Sequence, residues 1–206
     1  YITIQSKPAG ANTTLDNEDV GQTPTKRIKL ESGQHTIELQ KDLYSSVERE
    51  INLVDGQDTT VTYTLPKDYG VLNVSAEDAD IYLNGNRVGN DQYSQNLKPG
   101  KYTIKATKDK HYPDQQEVFI SIGDQKSIEL NPEPKKGSVS IISKPQESIG
   151  SKIYLNNKFV PDRTTPAVLP LMIGEYNITL KHPRYLDNTK QFSLEESKKK
   201  KLVFQM

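Results

Sequence analysis

Hydrophobic and polar residues alternate along short stretches of the whole chain, with a period of two residues. In the stretch after Gly33, for example, Ile37 and Leu39 stand between polar residues. A period of two sends alternate side chains to opposite faces of a β-strand, whereas a helix needs a period near 3.6. No segment has a convincing helical period. The pattern therefore predicts an all-β protein.

The same stretch occurs three times, about 70 residues apart, and defines an internal repeat. Each occurrence has a leucine, a glycine three positions later and then alternating apolar residues: Leu30-x-x-Gly33-x-His35-x-Ile37-x-Leu39, Leu97-x-x-Gly100-x-Tyr102-x-Ile104-x-Ala106 and Leu171-x-x-Gly174-x-Tyr176-x-Ile178-x-Leu180. We expect three tandem domains, at residues 1–68, 69–135 and 136–206, which we call the first, second and third copies. Several short strands in each copy are typical of a small antiparallel β-sandwich, Ig-like or prealbumin-like.

Turn residues recur in each copy, but not all of them are shared. A hairpin turn is predicted three times because Asn, Asp and Gly tolerate positive φ angles: Thr14-Leu15-Asp16-Asn17, Tyr82-Leu83-Asn84-Gly85 and Tyr154-Leu155-Asn156-Asn157. A Thr-Pro step closes the next connection in the first copy (Thr23-Pro24) and in the third (Thr165-Pro166), and is missing from the second.

This frame of strand, serine, turn, Val-Gly, Thr-Pro and Leu-x-x-Gly-x-Tyr resembles the PEGA domain family. The first copy has the naming motif almost intact, as Pro8-Ala9-Gly10-Ala11. The second has Ala76-Glu77-Asp78-Ala79, and the third has Pro145-Gln146-Glu147-Ser148 followed by about three extra residues. The resemblance implies a structural or binding module of a bacterial or archaeal envelope or cell-surface protein, outside the cytoplasm.

Composition excludes several kinds of chemistry. The 206 residues include no cysteine, which rules out disulfides, thiolate nucleophiles and cysteine-ligated metals. No apolar run approaches the ~20 residues that cross a bilayer, so we expect no direct membrane insertion of this segment. The chain opens within a strand pattern at Tyr1-Ile2-Thr3-Ile4, and we expect it to be a piece of a longer protein.

The candidate catalytic and metal-binding residues have simpler interpretations. His35 occupies the position of Tyr102 and Tyr176 in the other copies, so we interpret it as a packing replacement. His111 and His182 stand in turns, and no nucleophile recurs beside them. The acidic segments Asp16-Asn17-Glu18-Asp19 and Asp78-Ala79-Asp80 follow no calcium-loop pattern and suit hairpin turns. We predict neither an enzyme nor a cofactor.

Tyrosine and lysine residues offer the candidate binding surfaces. A tyrosine follows each repeat glycine after 11 or 12 residues, at Tyr44, Tyr112 and Tyr185, and these fit core or corner positions better than sugar-binding platforms. The net charge is zero, yet the first copy is acidic and the third basic. The run Lys198–Lys201 could meet an anionic partner or protect a sheet edge from pairing. Six residues outside the shared frame are possible ligand contacts: Tyr93, Ser148, Ile149, Lys198, Lys199 and Lys200.

These features favour a non-catalytic spacer or adhesion module that links other domains of a longer chain. Prolines at Pro66, Pro132 and Pro134 stiffen the linkers, so we expect an elongated arrangement. The alternative is a module that binds carbohydrate, peptidoglycan or a protein through the non-repeated loops and the basic third copy. The expected partners are therefore an envelope protein or a cell-wall glycan, and not nucleic acid.

Overall fold

The computed structural model describes every residue from Tyr1 to Met206. It contains eighteen β-strands and a single short 3₁₀ turn at Gln146–Ser148. The all-β fold class predicted from the period-two pattern is therefore confirmed. No helix in the structure is long and apolar enough to span a membrane.

The first copy has six strands in two sheets. The strands are β1 (Ile2–Lys7), β2 (Asn12–Leu15), β3 (Glu18–Gln22), β4 (Gly33–Gln40), β5 (Val47–Leu53) and β6 (Thr59–Thr64). One sheet has the order β3-β2-β4-β5 and is antiparallel, and the other is the pair β1-β6. Inward-facing residues of both sheets form one core, in which Ile2, Ile4, Ile37 and Leu39 are fully buried.

The third copy repeats this plan with one more strand. Its strands are β12 (Lys136–Lys144), β13 (Lys152–Leu155), β14 (Lys158–Thr164), β15 (Ala167–Met172), β16 (Gly174–His182), β17 (Tyr185–Leu194) and β18 (Lys199–Gln205). The sheets have the orders β14-β13-β16-β17 and β15-β12-β18. Val139, Ile141, Ile178, Leu180 and Phe204 lie in the core between them, each fully buried.

The second copy has fewer and longer strands, in one sheet. They are β7 (Gly70–Leu83), β8 (Asn86–Leu97), β9 (Gly100–Thr107), β10 (Asp114–Ile120) and β11 (Gln125–Glu129), in the order β10-β9-β7-β11 with β8 also paired to β7. Proline cannot donate a ladder hydrogen bond and interrupts a strand. The second copy has Ala76 where the others have Pro8 and Pro145, and it lacks the Thr-Pro step, so β7 and β8 continue without a break.

In every copy the first and last strands pair in parallel. Ile4 lies opposite Val61, Val74 opposite Ile128 and Ile141 opposite Leu202. The other strand pairs of the first and third copies are antiparallel, as predicted. The parallel pair was not predicted, because alternation shows which face of a strand is buried but not the direction of its neighbour.

The residues divide into two compact units. The first comprises residues 1–77, 81–104 and 115–130, and the second comprises residues 78–80, 105–114 and 131–206. The first unit therefore contains the whole first copy and most of the second. The third copy lies entirely in the second unit.

Candidate functional site

A pair of buried hydroxyl groups explains the serine and the Thr-Pro step of the repeat. Ser6 Oγ lies 2.5 Å from Thr23 Oγ1, which also accepts a hydrogen bond from the Ala11 amide. In the third copy Ser143 Oγ lies 2.7 Å from Thr165 Oγ1. These groups hold the first connection of each sandwich against its core. They are buried, and their role is structural.

His35 takes the place of a tyrosine, as its position in the repeat predicts. Its Nε2 lies 3.1 Å from the Glu31 carbonyl oxygen, whereas Tyr102 and Tyr176 each donate a hydroxyl hydrogen bond to the carbonyl four residues earlier. Its Nδ1 lies 2.6 Å from Asp16 Oδ2. The Asp16 carboxylate, followed by the Glu31 carbonyl, raises the pKa of the imidazole above 6.5. Because both ring nitrogens face acceptors, His35 is poised to be a cation and not a general base.

The acidic turns do not form a metal centre. Asp16 Oδ1 accepts the Thr36 amide hydrogen bond, and Asn84 and Asn156 accept the equivalent bonds in the other copies. The His35 hydrogen bond, then that of Thr36, lowers the pKa of Asp16 below 3.8. No group of three or more histidine or carboxylate side chains is placed to hold a metal ion. The shared contact supports the hairpin-turn interpretation for Asp16. That interpretation is wrong for Asp78-Ala79-Asp80, which lies within strand β7.

The joint between the first and second copies is closed by two backbone hydrogen bonds. Ser45 N donates to Pro66 O at 2.9 Å, and Asp68 N donates to Leu43 O at 3.0 Å. The Tyr44 ring meets the Tyr69 ring edge-on, with centroids 5.8 Å apart. The loop after β4 therefore holds the linker along its length.

The joint between the second and third copies repeats these two bonds 67 positions later. Tyr112 N donates to Glu133 O at 2.8 Å, and Lys135 N donates to Lys110 O at 2.9 Å. Tyr112 also donates its hydroxyl hydrogen to Glu196, and Lys135 Nζ lies 3.6 Å from the Glu196 carboxylate. The two joints have the same backbone geometry but different side chains.

The joints correct the alignment of the repeated tyrosines. Tyr44 lies opposite Lys67, and His111, not Tyr112, lies opposite the equivalent Pro134. Tyr112 therefore stands one residue beyond the repeat position, which explains its longer spacing from the glycine. Tyr185 lies opposite His182 in a tight hairpin, with no linker beside it.

Tyr93 lies in a groove of the second copy. The groove has a volume of about 520 Å³ and is lined by β7, β8 and β11, with Asn73, Ser94, Ser127 and Glu129 among its polar residues. Burial raises the pKa of the half-buried Tyr93 hydroxyl above 10.0, and this hydroxyl donates to Gln95. The groove combines one aromatic ring with hydrogen-bonding groups, as sugar-binding surfaces do.

The other predicted contact residues are separated from one another. Ser148 is fully buried, and its hydroxyl donates to Pro145 O at 2.6 Å, so only the neighbouring Ile149, half exposed, can meet a ligand. Ser148 follows the end of β12 at Lys144, while Lys199 lies opposite Ser138 near its start. Six strand residues span about 20 Å. One small ligand cannot contact both groups.

The lysine run lies at the start of the last strand of the third copy. Lys198 is in the turn after β17, and Lys199, Lys200 and Lys201 begin β18, which crosses to the other sheet and forms its edge. All four side chains are exposed. Their position at a sheet edge fits protection from strand pairing.

A partly exposed aromatic pair on the third copy was missed by sequence reasoning. Tyr154 of β13 lies opposite Phe159 of β14, with ring centroids 5.5 Å apart, and Phe159 is 49% exposed. Lys181 Nζ lies 5.2 Å from the Tyr154 ring centroid, and Lys152 Nζ lies 5.9 Å from that of Phe159. The available signal was Phe159 itself, an aromatic residue where the other copies have Asp19 and Arg87.

Comparison with known proteins supports the resemblance for the first copy. Residues 1–68 match the family model described as the PEGA domain, and the match does not extend beyond them. This range is the first predicted copy. No curated protein matches the chain.

Solved structures with a similar arrangement include three bacterial proteins. The Bacillus anthracis TIE protein is 16% identical with a TM-score of 0.48, over 99% of this chain and 48% of its own. A streptococcal ancillary pilin is 11% identical with a TM-score of 0.36, over 85% of this chain and 76% of its own. The major pilin subunit of Bacillus cereus is 10% identical with a TM-score of 0.35, over 100% of this chain and 97% of its own. The chain spans about half the length of the Bacillus anthracis structure, and likenesses of this degree carry no information on function.

Proposed function

We propose that this chain is a non-catalytic spacer or adhesion module of a bacterial envelope or cell-surface protein, located outside the cytoplasm. The match of the first copy to the PEGA domain supports this class of protein. The observation that carries the spacer role is the pair of equivalent joints, each closed by two backbone hydrogen bonds between a loop and the linker. A linker held in this way transmits position between domains better than a free one.

Small-angle scattering tests the spacer role. A compact chain of 206 residues has a radius of gyration of about 17 Å. We expect a clearly larger value, and a shorter maximum dimension when residues 69–135 are deleted and the remaining copies stay folded. A radius near that of a compact chain, or a maximum dimension unchanged by the deletion, would refute a spacer.

A second candidate function is carbohydrate or peptidoglycan binding, which the Tyr93 groove favours. The ring would contact the apolar face of a sugar, while Asn73, Ser127 and Glu129 supply hydrogen bonds to its hydroxyl groups. The test is a screen of glycans and cell-wall fragments against the whole chain and a Tyr93→Ala variant. Tyr63→Ala, on the last strand of the first copy, is the control. Binding lost only in Tyr93→Ala supports the groove, and no binding by the whole chain excludes it.

A further inference from the structure

The first and third copies have equivalent four-stranded sheets whose outer faces carry different side chains. In the first copy, one row of outward-facing residues crosses the four strands β3, β2, β4 and β5 as Asp19, Thr14, Glu38 and Glu48. The equivalent row crosses β14, β13, β16 and β17 as Phe159, Tyr154, Thr179 and Thr189. The row thus holds three carboxylates in the first copy, and two aromatic rings and no carboxylate in the third.

The acidic face of the first copy is defined by Asp19, Glu38, Glu48 and Glu50. Glu38 lies directly opposite Glu48, and like charges opposite each other destabilise a sheet. Their nearest polar contacts are not cations: Glu38 accepts a hydrogen bond from Gln40, and Glu50 from Gln34. No ion pair involves these four carboxylates.

The aromatic–lysine face of the third copy is defined by Lys152, Tyr154, Phe159 and Lys181. Here Lys152 lies directly opposite Lys181, a like-charge pair of the other sign. Lys181 is balanced by Asp187 at 2.7 Å, but Lys152 has no carboxylate partner. Aromatic rings are common anchors of protein interfaces, and lysines close to these rings give the face a positive charge.

We propose that the acidic face of one molecule docks on the aromatic–lysine face of a second molecule. The two faces have complementary charge: the four carboxylates of the acidic face have no ion-pair partner, and Lys152 of the aromatic–lysine face has no carboxylate partner. Because the two faces differ, the association is head to tail and adds further molecules unless a ring closes.

The contact is weak by its size. Four strands about 4.8 Å apart and roughly five residues long cover about 300 Å². Stable interfaces bury about 800 Å² on each partner. Charges contribute over a Debye length of about 30 Å at 10 mM salt but only about 3 Å at 1 M, so the association is expected at high protein concentration and low salt.

Sedimentation velocity on the whole chain tests the proposal. In 10 mM salt the weight-average mass should rise with concentration beyond twice that of the monomer, and 1 M salt should return it to the monomer. The double variants Lys152→Glu/Lys181→Glu and Glu38→Lys/Glu48→Lys should each stay monomeric. An equal mixture of the two should associate again, because each reversed face then meets its complement.

The control is Lys199→Glu/Lys200→Glu, which makes the same change in net charge on the edge strand β18 and should associate like the unchanged chain. Circular dichroism verifies that every variant is folded, and Lys152→Ala is a milder substitute for any that is not. A chain that stays monomeric in low salt, a control that also abolishes association, or a mixture that stays monomeric overturns the proposal. So does a monomer that instead binds an acidic polysaccharide through Lys152 and Phe159. None of these outcomes bears on the spacer role, which scattering tests separately.

Discussion

At the scale of single residues, one position of the repeat keeps the same hydrogen-bond contact in every copy although the residue type differs. His35 reaches the Glu31 carbonyl as Tyr102 reaches that of Lys98, so the packing role is retained. The imidazole adds a second contact, to Asp16. The sequence predicts the first role because three aligned positions can be compared. The ion pair with Asp16 depends on a distance across the sheet that alignment does not give.

The His35 contact predicts that the stability of the first copy depends on pH. The folded-state pKa of His35 is raised, so its stabilisation is present in full below about pH 6.5 and is lost as the pH rises through the folded value. The folded-state pKa of Asp16 is lowered, so the stabilisation that its carboxylate contributes is present above about pH 4 and is lost in more acidic solution. Nuclear magnetic resonance titration of the His35 ring should give a midpoint above 6.5. The unfolding midpoint of the first copy should fall above neutral pH, and this fall should be absent in the His35→Tyr variant. The same pH profile in both proteins would show that the His35–Asp16 ion pair does not stabilise the fold.

Gly137 is needed where two segments of backbone approach closely. A Cβ at this position would lie 2.8 Å from Glu195 O and 2.9 Å from Lys198 O. Gly137→Ala should therefore lower the free energy of unfolding of the third copy by about 1–3 kcal/mol. Urea unfolding followed by amide signals of the third copy measures this. Gly100→Ala is the control, since its nearest contact would be Tyr102 Cε2 at 3.8 Å, and an equal loss in both variants would count against the close approach.

At the scale of elements, proline and the buried hydroxyl pair decide where strands end. Copies with a Thr-Pro step have two separate sheets, and the copy without it has longer strands in one sheet. The sequence shows that the second copy lacks the Thr-Pro step. It does not predict that the second copy has one sheet instead of two, because that depends on which strands pair with the uninterrupted strand β7.

Thr165 should be essential to this connection in the third copy. Its hydroxyl contacts Ser143 Oγ and accepts the Ser151 amide hydrogen bond at 3.2 Å. Thr165→Val keeps the shape but removes the acceptor, so the third copy should lose about 1–3 kcal/mol of stability. Thermal unfolding of the variant beside Thr164→Val, an exposed neighbour, is the measurement. Equal stability of the two variants would show that the hydroxyl pair contributes nothing.

At the scale of the whole molecule, the joints are the points where each linker is hydrogen-bonded to a loop. Prolines in the linkers predict stiffness, but the hydrogen bonds that fix each linker come from a loop more than twenty residues earlier. The ion pair between Asp42 and Lys98, at 2.9 Å, adds little because both side chains are exposed. We therefore assign the stiffness of a joint to its backbone bonds.

Hydrogen exchange tests this assignment. The amides of Asp68 and Lys135 should exchange much more slowly than those of an unstructured peptide, although they lie in linkers, because each donates to a carbonyl in a loop of its own copy. Lys98→Ala should leave both rates nearly unchanged. Exchange of either amide at the rate of an unstructured chain would mean that the linkers are free.

The sequence by itself determined the all-β class, the hairpin turns and the role of His35, and it predicts the three copies. These follow from local physics, since strand period, turn conformation and aligned packing positions are properties of short segments. Tertiary structure decided the parallel pairing of first and last strands, the burial of Ser148, the joints and the opposed faces of the first and third copies. Each of these depends on contacts between residues far apart in the sequence, and neither the hydrophobic period nor the composition shows which distant residues will be in contact.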